Sequence, residues 1–144
     1  MEKCKLTVEE KPDYKDVQFL ESRIDEYNMA QTKIYDGRLL AIFLKDDDGQ
    51  ITGGIYGWTW GGCLEIKYLW VREDLRGMGH GKNLMLAAER EAIARGCRQA
   101  LLDTHSFQAP DFYKKLGYEI FGVLEGYPFQ HKKYYLKKNL RGAL

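Results

Sequence analysis

The feature that most constrains this chain is the segment Arg76-Gly77-Met78-Gly79-His80-Gly81-Lys82. It stands between Cys63–Arg72, an aliphatic and aromatic run that reads as a strand, and a stretch at about 80–95 that reads as a helix. In the latter, Gly81, Leu84/Met85, Ala88 and Ala92 recur at helical spacing. A glycine loop feeding a helix presents unpaired backbone N–H groups at the positive end of the helix dipole. Glycines also let the backbone approach an anion closely. The guest this suits best is a pyrophosphate, with Arg76 and Lys82 adding charge. Two common phosphate-binding patterns do not fit. G-x-x-x-x-G-K-[ST] needs glycine where Arg76 stands and Ser or Thr where Asn83 stands. G-x-G-x-x-G meets Lys82 when started at Gly77, and Leu84 when started at Gly79.

The rest of the chain supplies the setting. Lys5–Glu9 alternates weakly and is expected to form a first strand. Pro12 suits the first turn of a helix, with Asp13 and Asp16 near its positive end. Val17, Leu20, Ile24 and Tyr27 then predict a helix over 13–31. Arg38–Lys45, Ile51–Trp60 and Cys63–Arg72 read as strands separated by the turns Asp47-Asp48-Gly49 and Gly61-Gly62, an antiparallel meander. After the long helix, Gly96 is a terminator and Gln99–Asp103 a further strand. Pro110 opens a helix to about Leu116, ended by Gly117, and Tyr118–Leu124 and Lys132–Lys137 close the chain as strands. The predicted order is βαβββαβαββ. With no repeat, low-complexity segment or linker, 1–144 is expected to be a single α/β (α+β) domain.

Charge and cysteine usage narrow the partners. The chain has 22 Lys+Arg against 21 Asp+Glu, a formal net charge of +1, which argues against bulk capture by nucleic acid or an anionic membrane. The balance is uneven along the chain. Residues 1–60 carry 8 basic and 12 acidic side chains, and residues 61–144 carry 14 and 9. Lys132, Lys133, Lys137, Lys138 and Arg141 alternate over both faces of the last strand, the pattern of an exposed edge strand protected by lysines, although some could instead face a bound phosphate. Cys4, Cys63 and Cys97 are odd in number and far apart, so neither a disulfide framework nor a metal site is expected. A reducing, cytoplasmic setting follows. The N-terminus is charged rather than apolar, and no run approaches a membrane span.

Arg76-x-x-Gly79-x-Gly81 resembles the Q/R-x-x-G-x-G/A loop of the GNAT superfamily of N-acetyltransferases, which use acetyl-CoA. Tyr68-Leu69-Trp70-Val71 ends five residues before Arg76, as the family's loop-bearing strand does. Ala109-Pro110-Asp111-Phe112-Tyr113-Lys114-Lys115-Leu116-Gly117-Tyr118 is similar to the family's A-x-x-F-Y-x-K-L-G-F/Y segment. The two motifs cover about 60–140. The resemblance implies a mixed, mostly antiparallel sheet, flanked by helices, with a splayed parallel strand pair. It places the CoA pyrophosphate on the backbone of Gly77, Met78, Gly79, His80, Gly81 and Lys82, with Arg76 adding charge. It places the pantetheine arm against Leu69, Trp70 and Val71, opening toward the strand at 99–105. Where many members have an Asn near the second motif, this chain has Ser106 and Gln108 as candidate contacts.

By the same resemblance, Tyr113 is the general acid that meets the departing sulfur, since a phenol can protonate a thiolate. Glu65, six residues before Val71, matches the catalytic glutamate of the histone-acetylating branch. Strand alternation also puts Lys67 on its face, so a surface Glu–Lys pair is the competing reading. Glu73, Asp103, His105 and His131 are rival acids or bases. Asp25, Glu26, Asp36, Tyr56, Trp58 and Trp60 are candidates for the acceptor side, where carboxylates attract a cation and aromatic rings offer cation–π contacts. The expected activity is acetyl transfer from acetyl-CoA to a primary amine of a small molecule by direct attack, without metal. A protein lysine or N-terminal acetyltransferase and a non-catalytic CoA-binding module are the alternatives. Homodimers are common in the family.

Overall fold

The computed structural model describes residues 2–140, so Met1 and Arg141 lie outside the described residues. The chain divides into two compact units, residues 1–35 and 36–144.

The first unit carries helix α1, Tyr14–Thr32. The Asp13 side chain caps it by accepting a hydrogen bond from the Lys15 amide at 2.9 Å, and Asp16 lies in its first turn. Pro12 precedes the cap instead of sitting in the first turn. The expected strand at Lys5–Glu9 does not form. Its two apolar side chains, Leu6 and Val8, are exposed, and two apolar residues among charged neighbours give a strand no face to bury.

The second unit holds six strands: β1 (Arg38–Lys45), β2 (Ile51–Trp60), β3 (Cys63–Val71), β4 (Gln99–His105), β5 (Glu119–Glu125) and β6 (Lys132–Asn139). Its helices are α2 (His80–Ala94) and α3 (Pro110–Lys115). The sheet order is β1-β2-β3-β4-β6-β5, antiparallel except for the β3–β4 pair. The two hairpin turns fall where expected, and α2 and α3 end at Gly96 and Gly117. α3 opens on Pro110 at its first turn. Among the described residues, no helix is long and apolar enough to cross a membrane.

One face of the sheet is packed. Leu84, Met85, Ala88 and Ala92 of α2 are buried against Leu40, Ile55, Leu64, Ala100, Leu102 and Leu136. Two alanines on that stripe let the helix lie close to the strands. Gly81 continues it, because a Cβ there would come within 3.3 Å of the Phe112 ring on α3.

β6 corrects the edge-strand expectation: it lies between β4 and β5, and β5 is the edge. Its lysines are paired instead, Lys132 with Glu125, Lys133 with Asp103, Lys137 with Glu119 and Lys138 with Glu89. Sheet order depends on long-range pairing that local alternation does not encode.

β2 and β3 approach unusually closely at Gly57, where a Cβ would stand 1.9 Å from the Glu65 carbonyl oxygen. There the register shifts, Tyr56 opposite Tyr68 but Gly57 opposite Ile66, so Lys67 is an extra residue bulged out of β3. Gly57→Ala should therefore push the strands apart and destabilise the fold by roughly 3 kcal/mol. Urea unfolding checks this, and an unchanged midpoint would contradict it.

Candidate active site

The site begins where β3 and β4 part. They pair in parallel at Cys63–Gln99, Leu64–Ala100 and Glu65–Leu101, and no further. β4 stays paired to β6 along its whole length, from Gln99–Asn139 to His105–Lys133. β3 bends away at its Lys67 bulge and stays on β2 as far as Val71. One strand is held straight and its neighbour is turned, so a cleft of about 400 Å³ opens between them.

Leu69 and Trp70 line this cleft with Ile66, Lys67 and Tyr68 on the β3 side. Leu102, Asp103 and Thr104 form the β4 side, and Gln108, Ala109 and Tyr113 complete it. Beyond Glu65 and Leu101 the facing edges have no strand-to-strand pairing, so the backbone of β3 is available to an extended ligand.

The glycine loop lies at the β3 end. The Arg76 Nε donates to the Val71 carbonyl at 2.9 Å, tying the loop to the strand. Gly79 caps α2 with φ of +87°, and Gly77 has φ of +79°. No side chain caps this helix, so the first-turn amides keep their donors. A Cβ on Gly77 or Gly79 would meet nothing within 4 Å, so both glycines border open space. Arg76, Met78 and Lys82 are exposed around it and His80 is half-buried. Donors at a helix start bordered by open space fit a pyrophosphate.

Tyr113 is half-buried and its hydroxyl is bonded to no other described residue. Burial, and secondarily the negative charge of Asp103, push its pKa up to about 12. The phenol therefore keeps its proton throughout the physiological range. Asp103 is exposed on the β4 side of the cleft and pairs with Lys133 at 3.5 Å.

Other expected site residues are placed differently. Glu65 does not line the cleft. It occupies the last paired position at the closed end, half-buried, opposite Trp58 on β2 and Leu101 on β4. No ion pair joins it to Lys67, whose ammonium lies 5.7 Å over the Tyr68 ring. Gln108 lines the cleft, but its Oε1 accepts from the His105 amide at 2.7 Å and the Thr104 hydroxyl at 3.3 Å. Only its NH₂ group remains to offer a ligand. Ser106 is turned to β6: its Oγ accepts from the Lys132 amide at 3.0 Å, and its own amide donates to the Lys132 carbonyl.

Thr104 and Ala109 line the cleft without having been singled out in the sequence. Ala109 opens the second motif, a signal that was present. The place of Lys67 follows from a bulge that no local pattern marks.

What this arrangement can hold is a long flexible arm, slotted between strands, that ends in a pyrophosphate at a helix start. The Acetyltransferase (GNAT) family pattern matches residues 5–118. An acetyltransferase of Agrobacterium fabrum is 39% identical over 98 residues, 68% of this chain and 72% of that protein. Blasticidin-S acetyltransferase of Streptomyces morookaense is 32% identical over 107 residues, 69% of this chain and 76% of that one. A crystal structure of an acetyltransferase from Bacillus cereus superposes with a TM-score of 0.76 at 33% identity, covering 92% of this chain and 97% of its own. The chain belongs to the GNAT family of acetyltransferases and has the acetyl-CoA-dependent transferase activity of that class.

Proposed function

We propose that this protein transfers the acetyl group of acetyl-CoA to a primary amine of a small molecule, by direct attack with both substrates bound. The observation that carries this is the slit between β3 and β4, lined by Tyr113 and Asp103, with Glu65 at its closed end. The family match runs across both compact units, which supports one catalytic domain over 1–144. The similarity to blasticidin-S acetyltransferase supports a small-molecule acceptor. Odd, widely spaced cysteines support a cytoplasmic home.

Each residue has a distinct task in this reading. The amides of 77–82 and Arg76 hold the pyrophosphate, and Leu69 to Val71 orient the arm. Acetyl-CoA supplies an activated acyl group and a thiolate leaving group. An amine with a pKa near 10 arrives protonated at neutral pH. Glu65 takes its proton, directly or through water, while Asp103 holds the cation at the opposite lip. The amine nitrogen bonds to the acyl carbon as the carbon–sulfur bond breaks. Tyr113 gives its proton to the sulfur, and the second proton shed by the new amide nitrogen passes through water to the phenolate, restoring the phenol.

The test is acetyl-CoA turnover read as free thiol across small amines, with lysine peptides as a second arm. Glu65→Gln should lower turnover by about 100-fold and most strongly below the pKa of the amine. An unchanged pH–rate profile removes Glu65 as the base. Acetyl-CoA binding without thiol release from any amine overturns the proposed activity.

A further inference from the structure

Beyond the bulge, the face of the sheet away from α2 carries an aromatic surface. Tyr56 of β2 and Tyr68 of β3 are register partners, stacked with centroids 6.3 Å apart and planes at 20°. Trp58 stands edge-on to Tyr56 at 6.4 Å. Tyr68 is 64% exposed, so the end of the stack is open. Tyr68 and Asp103 both line the cleft, and Glu65 is the register partner of Trp58. The tray is thus continuous with the reaction cleft and bordered by two carboxylates.

The tray already holds a cation of the chain itself, the Lys67 ammonium 5.7 Å over the Tyr68 ring. The bulge makes this contact, because it turns Lys67 and Tyr68, neighbours in sequence, to the exposed side together. A flexible exposed lysine binds there weakly, and a ligand cation can take its place. Lys133, the ion-pair partner of Asp103 at 3.5 Å, lies over the Tyr127 and Tyr135 rings.

We infer that the acceptor of this enzyme is an aryl-bearing ammonium compound, its flat ring stacked on Tyr68 and its cationic group between the tray and the carboxylates of Glu65 and Asp103. This rests on the proposed amine acetylation but names a chemical class for the acceptor. A stacked aromatic end recognises a flat ring, and ring faces with adjacent carboxylates recognise a cation.

The test uses the full chain saturated with CoA and titrated with benzyltrimethylammonium, which has the ring and a permanent charge but no transferable N–H. Calorimetry and intrinsic tryptophan fluorescence read the binding without any turnover. Phenylacetate, the same ring with a negative charge, and tetramethylammonium, the charge without a ring, should each bind about tenfold more weakly. Tyr68→Leu, at an exposed position, should weaken the probe about tenfold, and Lys67→Ala should tighten it about two- to fivefold by removing the competing ammonium. The inference is overturned if the probe does not bind saturably, if phenylacetate binds equally well, or if Tyr68→Leu leaves affinity unchanged. Probe binding in a protein that acetylates no amine would sustain the cation site and sink the proposed activity. Acetylation of aliphatic amines with no probe binding would do the reverse.

Discussion

Replacing Tyr113 by Phe is expected to lower kcat by about 100-fold and to leave the affinity for acetyl-CoA within about twofold. Tyr113 lines the cleft and its hydroxyl is bonded to no other described residue, so its removal strands no buried partner. The ring stays packed edge-on against Phe112 and Tyr118, at 5.0 and 6.2 Å. Loss of rate with retained folding and cofactor affinity is the mark of a group that acts on the leaving sulfur. The pH dependence has a definite sign. Burial, then Asp103, raises the phenol to about 12, so its loss of a proton cannot produce a falling limb near the ordinary tyrosine value of about 10. Steady-state kinetics with a thiol readout, from neutral pH upward, checks both points. Full activity in Tyr113→Phe would end the assignment.

Replacing Glu89 by Ala is expected to cost about 3–5 kcal/mol of stability. Glu89 lies on α2 and is 5% exposed. It accepts from the Tyr118 hydroxyl at 2.8 Å and from the Lys138 ammonium at 2.7 Å. The variant leaves a half-buried ammonium and a buried hydroxyl without their carboxylate, and it is that stranded pair that costs, more than any bond lost. Glu89→Leu combined with Lys138→Met should recover much of the loss, because no unpaired charge remains. Equilibrium urea unfolding of the single and double variants measures this, and additive losses would contradict it. The cluster ties α2, whose start carries the glycine loop, to β6 and the entry of β5, so acetyl-CoA affinity should fall with stability. Tyr118 also links the cluster to pH. Burial first, then Glu89, raises its folded pKa above the unfolded value near 10. Its contribution is complete below that value and is lost as pH rises past it.

Much of the second unit is legible locally. Alternation and turn residues mark β1, β2 and β3 within a residue of their observed ends, because a half-buried strand repeats every two residues whatever its neighbours are. The α2 stripe of Gly81, Leu84, Met85, Ala88 and Ala92 is equally local. Lys5–Glu9 fails for the complementary reason: alternation suits a strand but supplies no partner. The tail lysines mislead because the same alternation suits an edge strand and an interior strand whose lysines find carboxylates on neighbouring elements.

The order of residues by itself determines the glycine loop, the helix behind it and the Phe112-Tyr113 segment. Each rests on short-range chemistry: glycine conformations, helix dipoles and a 3.6-residue repeat. Only the tertiary structure decides how the reaction space is made. The divergence of β3 from β4 needs the Lys67 bulge and the close approach at Gly57, both set by the β2–β3 pairing, and the hold of β6 on β4, which joins segments far apart in the chain. The same contacts put Asp103 in the cleft wall, leave Glu65 at its closed end and turn Ser106 to β6. Local pattern names the chemical groups. Strand register, set by backbone pairing across the sheet, decides which of them face each other.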